Sequence, residues 1–305
     1  MTGPVSTTAR RADAPVRGVL LVCVAALSFV IMNTMVKYLT RDYSVPEVIW
    51  GRYFFHLVLI LLLFPRRIPT LLASRHKGLQ VLRSLLVLLA TLCMFTAVTY
   101  LPLADAVAAS YVSPLILTGL SAVILREHVG PRRWTAVAIG FVGVLVILRP
   151  GFGMTQWAAL LPLGMALFYA LYNVTTRLVA DSAPPLTSLF YTALVGAVTI
   201  SAVAPFYWSW PTPAAWGLLV LTGLFGGIGH MALIVAFERA EASMVAPFAY
   251  TELIWATLSG ALVFGDIPDA WTFAGAGIIA ASGLYVLHRE RRAKSQPVSR
   301  LPSGS

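Results

Sequence analysis

Ten long apolar stretches alternate with short polar or proline-containing joints along most of this 305-residue chain. A helix needs about 20 mainly apolar residues to cross the hydrocarbon core of a bilayer. The fold class that we expect is therefore an all-α integral membrane protein. The predicted transmembrane helices are 17–38, 47–64, 79–101, 104–125, 132–148, 156–178, 186–206, 214–237, 243–264 and 270–288.

The second five apolar stretches echo the first five. Asn33 returns as Asn173 at an offset of 140 positions, and Tyr111 returns as Tyr250 at an offset of 139. A repeat with an odd number of crossings must enter the membrane from the opposite side in its second copy. The sequence therefore predicts two inverted five-helix repeats, a plan that recurs in secondary transporters with the substrate site between the repeats.

The joints divide the chain into four parts. We expect an N-terminal segment at 1–16, a first repeat at 17–149, a second repeat at 150–288 and a basic tail at 289–305. Arginines precede the first apolar stretch, as in a secretory signal, but this stretch is longer than a signal core of about 7–15 residues. It is therefore expected to remain as the first helix.

Composition and charge support the membrane class. Hydrophobic residues make up 58% of the chain and charged residues only 11%, whereas soluble proteins carry about 25% charged residues. The net charge of +10 could suggest nucleic acid, but the basic residues cluster in the joints. Placing the N-terminus inside leaves four of the 22 Lys and Arg residues outside. The positive-inside rule therefore predicts that both termini are cytoplasmic, and no nucleic-acid partner is expected.

The sequence shows no sign of a metal, a cofactor or a catalytic centre. Cys23 and Cys93 both lie within apolar stretches and lack the spacing of a metal site. Neither a His-Glu-x-x-His nor a Gly-x-Ser-x-Gly pattern occurs. We therefore expect no metal, no cofactor and no catalytic residue.

Ionisable residues that lie in an apolar stretch of only one repeat are the best candidates for handling substrate or ions. Glu252 is the strongest of them. It lies about ten residues into the ninth predicted helix, about 15 Å from its start and near the bilayer midplane. A carboxylate there suits proton coupling or cation recognition, and a structural glutamate is the alternative. Phe248, Trp255 and Ser259 share its helical face, which predicts an aromatic-lined acidic site.

Arg52, His56 and His230 are the other ionisable residues of this kind. Arg52 is a candidate outer-side contact for an anionic group, and its alternatives are pairing with Glu252 or reaching the lipid headgroups. His56 lies one turn deeper on the same face. It is a candidate to bind an anionic group together with Arg52, and a packing histidine is the alternative. His230 is a lone histidine that follows a glycine cluster. A role in a proton-linked gate is one hypothesis for it, and a role in packing is the other.

The sixth predicted helix carries a polar aromatic stripe of Tyr169, Tyr172, Asn173 and Thr176 at helical spacing. Such a stripe suits a flat or amphipathic metabolite held by rings and a few hydrogen bonds. Hydrogen bonding between helices explains it nearly as well. Tyr111 and Tyr250 complete the set of candidate substrate-binding or coupling residues.

Two of the prolines inside predicted helices are candidate sites of a bend. Pro114 lies in the fourth and Pro247 in the ninth. A proline within a transmembrane helix frees a backbone carbonyl and bends the helix. Such a bend serves either alternating access or packing.

The chain resembles the drug/metabolite transporter superfamily, in the branch with two EamA domains. The motifs that carry the resemblance are Leu-Pro-Leu-Ala-Asp-Ala at 101–106, Ser-Pro at 113–114, Arg-Glu at 126–127, Arg-Pro-Gly at 149–151, Ala-Glu-Ala-Ser at 240–243 and Gly-Asp at 265–266. The resemblance covers about 17–288 and implies ten helices with both ends cytoplasmic. Stretches 167–177 and 226–290 are most similar to bacterial S-adenosylmethionine and riboflavin carriers.

One departure from that family concerns the ninth helix. Members often have Glu-Pro there, whereas Leu253 follows Glu252 in this chain. The resemblance therefore implies that the carboxylate is kept and that the local helix break is not.

These observations predict a multi-pass secondary transporter of the bacterial inner membrane. Its substrate is expected to be a small polar or aromatic metabolite, such as S-adenosylmethionine, riboflavin, an amino acid or a related compound, moved by alternating access. H+ is a candidate coupling ion, and the oligomeric state is left open. One alternative is an exporter of a drug or metallophore-like metabolite. Alternatives from other classes are a non-transporting membrane receptor and an intramembrane enzyme.

Overall fold

The computed structural model of the protein describes residues 15–124, 130–149, 156–179, 184–240 and 242–294, which are helical apart from short connections. Residues 1–14 of the predicted segment 1–16 and residues 295–305 of the predicted tail 289–305 lie outside the described residues. The α-helices are α1 Pro15–Leu39, α2 Val45–Leu63, α3 Ile68–Leu72, α4 Lys77–Tyr100, α5 Leu103–Ser110, α6 Ser113–Ile124, α7 Pro131–Leu148, α8 Leu160–Val179, α9 Pro185–Ser201, α10 Pro213–Arg239, α11 Ala242–Ala249, α12 Thr251–Ser259 and α13 Ala270–Lys294.

Several helices begin at the polar and proline residues of the joints. Ser44 caps α2 by accepting a hydrogen bond from the amide of Glu47 at 3.4 Å. Thr212 caps α10 in the same way through the amide of Ala215 at 3.2 Å. Both helices have a proline in their first two positions, where the missing amide costs no helical hydrogen bond. The joints predicted from the sequence therefore coincide with real helix starts.

Six helical segments are long and apolar enough to cross a membrane: Val16–Leu39, Val45–Leu63, Lys77–Tyr100, Leu103–Ile124, Trp157–Val179 and Pro213–Phe237. Three shorter apolar helices follow at Trp134–Leu148, Pro185–Ser201 and Ala270–Val286. The ninth predicted helix corresponds to α11 and α12, which a π-helical turn at Gly260–Phe264 extends. The all-helical membrane fold is confirmed, while the full count of ten crossings stays a prediction.

The helices of the two halves pack in matched pairs. Helix α1 packs on α10 just as α8 packs on α4, and α2 packs on α10 just as α9 packs on α4. Helices α7 and α13, which end the two halves, pack on each other. These pairings are those expected of two copies related by a twofold axis that lies in the membrane plane.

The fourth and ninth predicted helices are both broken at their repeat-equivalent tyrosines. Tyr111 separates α5 from α6 with φ −68° and ψ 0°, and Tyr250 separates α11 from α12 with φ −62° and ψ −11°. In the first repeat Pro114 follows the break, and it has no amide with which to continue the helical ladder. The two breaks place equivalent backbone turns in the middle of both repeats.

The expectation that the ninth helix would lack a break near Glu252 is wrong. Tyr250 N donates to Pro247 O at 3.3 Å, and Leu253 N donates to Tyr250 O at 3.1 Å. These bonds span three residues rather than four, so the backbone tightens just before Glu252. The tight turn at Tyr250 interrupts the helix without a proline after the glutamate.

Candidate substrate-binding site

The two break tyrosines meet between the repeats. The ring centroids of Tyr111 and Tyr250 lie 4.9 Å apart. The Tyr111 hydroxyl donates to Ala249 O at 2.6 Å and to Glu252 Oε2 at 2.9 Å. Because the phenol has one hydrogen, it is shared between the two acceptors. The first repeat therefore holds both the backbone at the break and the carboxylate of Glu252.

A row of tyrosines leads away from this carboxylate. Tyr169 lies within electrostatic range of Glu252 and of Tyr172. The rings of Tyr169 and Tyr172 are stacked with centroids 5.5 Å apart. The stripe predicted on the sixth helix, now α8, thus lies within electrostatic range of Glu252.

The far end of the stripe is held by Arg83, a residue of α4 that is only 2% exposed. Arg83 Nη2 donates to the Tyr172 hydroxyl at 2.7 Å, and its Nε donates to Thr176 Oγ1 at 3.1 Å. Its Nη1 donates to Ser188 O at 2.7 Å and to Gln80 Oε1 at 3.2 Å. Arg83 therefore links the stripe to helices α4 and α9.

Sequence reasoning missed Arg83 as a site residue, because it was counted among the basic residues of the inner side. The signal was nevertheless present. Arg83 lies inside the predicted third helix, and the equivalent positions of the second repeat are Thr222 and Gly223. The criterion that singled out Glu252 would therefore have selected Arg83 as well.

Arg52 is buried, with 6% of its surface exposed. Its Nη1 donates to Thr91 Oγ1, and its Nη2 donates to His230 Nε2 at 3.3 Å. Its Nε is buried without a hydrogen-bond partner. Within the part of the chain that the structure describes, no ion pair joins Arg52 to Glu252. Arg52 thus neither reaches the lipid headgroups nor pairs with Glu252, since it turns inward toward α4 and α10.

The two buried histidines lie beside Arg52. The rings of His56 and His230 are parallel, with centroids 6.3 Å apart. The ring of Phe29 on α1 meets His230 edge-on at 5.1 Å, and His56 Nε2 is buried without a partner. The expectation of a lone histidine at 230 is wrong, because the packing of α10 on α2 brings the two imidazoles together.

Three residues predicted to face the site lie elsewhere. Phe248 and Trp255 are 40% and 38% exposed, so they lie at the protein surface rather than beside Glu252. Ser259 instead shares a 2.6 Å hydrogen bond with Thr34 of α1. The aromatic rings near Glu252 are therefore those of Tyr111, Tyr250 and Tyr169. The Asn173 amide donates to Tyr169 O of its own helix at 2.8 Å.

A charged cluster closes one end of the interface between the repeats. Lys37 Nζ donates to Asp266 Oδ2 at 2.6 Å and to Leu101 O at 3.0 Å. Arg149 pairs with Asp269 at 2.5 Å. Each ion pair joins a residue of the first repeat to one of the second. This end faces outward in the orientation predicted from the charges.

The described residues contain no group of three or more His, Cys, Asp or Glu side chains arranged to hold a metal ion. The polar groups gathered between the repeats are instead arginines, tyrosines, histidines and one glutamate. This set can bind charged and hydrogen-bonding parts of an organic molecule, so the arrangement is that of a membrane protein with a polar site at the interface of two inverted repeats.

Comparison with known families agrees with this class. A model described as the EamA-like transporter family matches residues 16–149 and again residues 156–287. The chain therefore belongs to the EamA-like transporter family of the drug/metabolite transporter superfamily, with two EamA domains. It is a membrane transporter of small metabolites and not an enzyme.

Individual relatives carry transporter names. A riboflavin transporter of Vibrio cholerae is 31% identical over 91% of this chain and 95% of its own length. An S-adenosylmethionine uptake transporter of Rickettsia prowazekii is 29% identical over 90% of this chain and 94% of its own. The pseudopaline exporter CntI of Pseudomonas aeruginosa is 28% identical over 90% of this chain and 97% of its own length. A crystal structure of another protein shares the fold, with a TM-score of 0.62 and 17% identity over 91% of this chain and 99% of that one.

Proposed function

We propose that this protein is an alternating-access carrier of a zwitterionic metabolite that bears a flat ring. The substrate lies between the repeats, with its anionic group at Arg52, its ring along the tyrosines and its cationic group at Glu252. The protein lies in the bacterial inner membrane with both termini in the cytoplasm. The proposed repeats, 17–149 and 150–288, move against each other around this site.

The observation that carries the proposal is the pair of buried guanidinium groups that lack an acidic partner among the described residues. Arg83 uses its hydrogens on neutral groups, while Arg52 keeps its Nε without any partner. A buried charge is costly unless an opposite charge or hydrogen bonds compensate it. A carboxylate fits Arg52 well, because a guanidinium presents two parallel donors to its two oxygens.

Glu252 is the negative pole of the proposed site, and Arg52 is its positive pole. Its contact in the described residues is the hydroxyl of Tyr111, so its second oxygen is available for a cationic group. Tyr169 lies within electrostatic range of Glu252, Arg52 and Arg83 alike. A ligand that extends along Tyr169 would therefore approach both poles.

This charge pattern ranks the candidate substrates. S-adenosylmethionine carries a carboxylate that suits Arg52, cationic groups that suit Glu252 and an adenine ring that suits the tyrosines. Riboflavin has a flat ring but neither a carboxylate nor a cation. The likeness to both named transporters supports either substrate, and the buried arginines favour the first. Uptake is the proposed direction, in line with the named S-adenosylmethionine transporter.

Export is the second candidate function. The likeness to the pseudopaline exporter supports it, and the same site would serve either direction. Flux measured in vesicles of known orientation separates the two. Ligand binding without any flux would instead favour a receptor.

The test is binding and transport of S-adenosylmethionine by purified protein. We expect saturable uptake into proteoliposomes that riboflavin competes with weakly. A decarboxylated analogue should bind about 10- to 100-fold more weakly, since hydrogen bonds to charged groups contribute about 1.5–3 kcal/mol. The same loss is expected for Arg52→Ala with the parent compound, and decarboxylation should cost that variant little more. Equal binding of both compounds to the wild-type protein would contradict the proposal.

Glu252→Gln provides the matching test at the other pole. It keeps the shape of the side chain and its contact with Tyr111 but removes the negative charge. We expect it to discriminate less between S-adenosylmethionine and S-adenosylhomocysteine, which lacks the sulfonium charge. Unchanged discrimination would show that Glu252 does not recognise the cation.

A further inference from the structure

We propose that His230 takes up a proton when an anionic group binds Arg52, so that the anion and the proton occupy the site together. The inference rests on the proposed function, because it requires an anionic ligand at Arg52. It assigns the coupling proton to His230 rather than to Glu252.

The hydrogen-bond roles of Arg52 and His230 carry the argument. A guanidinium only donates, and Arg52 Nη2 lies 3.3 Å from His230 Nε2. His230 Nε2 must therefore be an acceptor, which requires a neutral ring with its hydrogen on Nδ1. In the anion-free protein, His230 acts as the neutral substitute for an anionic partner of Arg52.

An incoming carboxylate changes both the acceptor that Arg52 uses and the hydrogen bond that His230 receives. It offers Arg52 two charged acceptors in place of one imidazole nitrogen, and Arg52 Nε is unpartnered and ready to donate. The lone pair of His230 Nε2 then loses its donor and faces the negative charge of the ligand. A proton on Nε2 restores the balance, because the imidazolium donates to the carboxylate.

Among the described residues, the charged group in contact with His230 is Arg52, and the ring of His56 lies beside it. The charged and titratable groups that face it are Arg52 and His56 on α2 and Arg83 on α4. Helix α1 faces it with the ring of Phe29. In the described parts of α9 and α11, no charged group lies within its electrostatic range. The groups around His230 are thus cationic or neutral, so only a bound anion favours its protonation.

The proposal has a functional consequence. Each anionic group would cross the membrane together with one proton, and an inward proton gradient would then drive accumulation of the substrate. Glu252 would remain a recognition carboxylate. The two poles of the site would therefore have separate tasks.

The experiment counts protons taken up on binding by purified wild-type protein in detergent near pH 7.5. One probe is S-adenosylmethionine, measured by calorimetry in two buffers of different ionisation enthalpy. The other is benzoate, a ring with a carboxylate and no cation, measured with a pH indicator in weakly buffered solution. We expect uptake approaching one proton per bound ligand, as linkage requires of a group that is protonated only in the complex.

The decisive variant is His230→Gln, because its amide oxygen can still accept from Arg52 but cannot take up a proton. It should bind both probes with no proton uptake. His230→Asn serves as a second variant if the first melts at a lower temperature. His288→Gln, which removes an exposed histidine of α13, controls for the loss of an imidazole elsewhere in the protein.

The outcomes separate this inference from the proposed function. Proton uptake on benzoate binding that is lost in His230→Gln supports the inference. It does so even if S-adenosylmethionine fails to bind, a result that would contradict only the proposed substrate. No uptake with either probe overturns the inference. It is also overturned if uptake survives in His230→Gln but disappears in Glu252→Gln or His56→Gln.

Discussion

Tyr111 of the first repeat donates a hydrogen bond to Glu252 of the second repeat at 2.9 Å, across the axis that relates the two halves. The same hydroxyl donates to Ala249 O at 2.6 Å. The break at Tyr250 turns this carbonyl toward the other repeat. One phenol therefore satisfies both a backbone group and the carboxylate at the centre of the proposed site.

Tyr111→Phe should destabilise the protein and weaken binding of a cationic substrate. The change leaves a carbonyl and a carboxylate without their donor, which typically costs about 1–3 kcal/mol. We expect a lower midpoint of thermal unfolding and a raised KM. Tyr250→Phe is the matched control, since it removes the hydroxyl of the partner ring but not the bond to Glu252. Equal effects of the two variants would show that the loss is not specific to the bond between Tyr111 and Glu252.

The tyrosine pair illustrates what the sequence could predict. The echo of Tyr111 in Tyr250 follows from the repeat, and residues related by a twofold axis meet when they lie close to that axis. The sequence does not say which echoed residues lie there, because their depth along the helices is known only to within a turn. Pro114 and Pro247 predicted bends in these two helices, but the turns lie at the tyrosines, and no proline or glycine at position 250 marks the second one.

The histidine pair shows why some of the site could not be predicted. A Cβ atom at Gly223 would lie 2.5 Å from Phe55 Cβ, and one at Gly227 would lie 3.1 Å from His56 Cδ2. The glycines of α10 thus allow it to approach α2 closely, which brings His230 to His56. The sequence shows the glycine cluster but not the helix on which it packs. That choice depends on tertiary contacts, which a single sequence does not reveal.

Arg83→Lys should impair substrate binding through Tyr172, although it conserves the charge. A guanidinium holds Tyr172, Thr176 and the Ser188 carbonyl at once, and a single ammonium cannot reproduce this fork. Buried groups then lose donors, so we expect about 2–4 kcal/mol of destabilisation and a several-fold rise in KM. Thermal unfolding and initial uptake rates measure the two effects. Arg67→Lys, at an exposed arginine of the joint after α2, is the control and should behave like the wild type.

The pair formed by Lys37 and Asp266 should act as a latch at the proposed outer end. Its side chains are 13% and 32% exposed, so the pair is expected to contribute only about 0.2–1 kcal/mol and to weaken with salt. Lys37→Met should therefore favour opening at this end without unfolding the protein. The double exchange Lys37→Asp with Asp266→Lys should restore much of the closed state.

Thiol labelling measures this opening. Ser259 lies below the latch and is bonded to Thr34, so Ser259→Cys reports access from that side in a protein whose Cys23 and Cys93 are changed to serine. A membrane-impermeant maleimide should label it several-fold faster in Lys37→Met. Labelling rates that do not respond to Lys37→Met or to salt would exclude a latch.

Asp269 should stabilise the start of α13 in a pH-dependent manner. The amide of Thr272 donates to its carboxylate at 2.9 Å. This bond, helped by the Thr272 hydroxyl and Arg149, lowers the pKa of Asp269 below its ordinary value. A carboxyl with a lowered folded-state pKa stabilises the fold above its unfolded pKa of about 3.9 and loses this effect as the pH falls through the folded value.

Asp269→Ala should therefore lower the free energy of unfolding by about 1 kcal/mol near neutral pH, as the loss of a helix cap does. The difference from the wild type should shrink as the pH falls below about 4, because the wild-type carboxyl is then protonated. Asp269→Asn keeps an acceptor for the Thr272 amide and should be milder, with little dependence on pH. Thermal unfolding between pH 7 and pH 3 tests both variants. A constant difference across that range would mean that the charge of Asp269 plays no part.

Gly275→Ala should disrupt the packing of α13 on α7, whereas Gly277→Ala two positions later should be tolerated. A Cβ atom at Gly275 would lie 2.5 Å from Gly143 O and 2.5 Å from Ile147 Cγ1, so the two helices would have to separate. Overpacking of this kind typically costs about 1–3 kcal/mol. A Cβ at Gly277 would meet nothing within 4 Å, so alanine there should gain up to about 1 kcal/mol of helix propensity. Opposite shifts of the unfolding midpoint are expected, and a stable Gly275→Ala variant would contradict the close approach of the two helices that end the repeats.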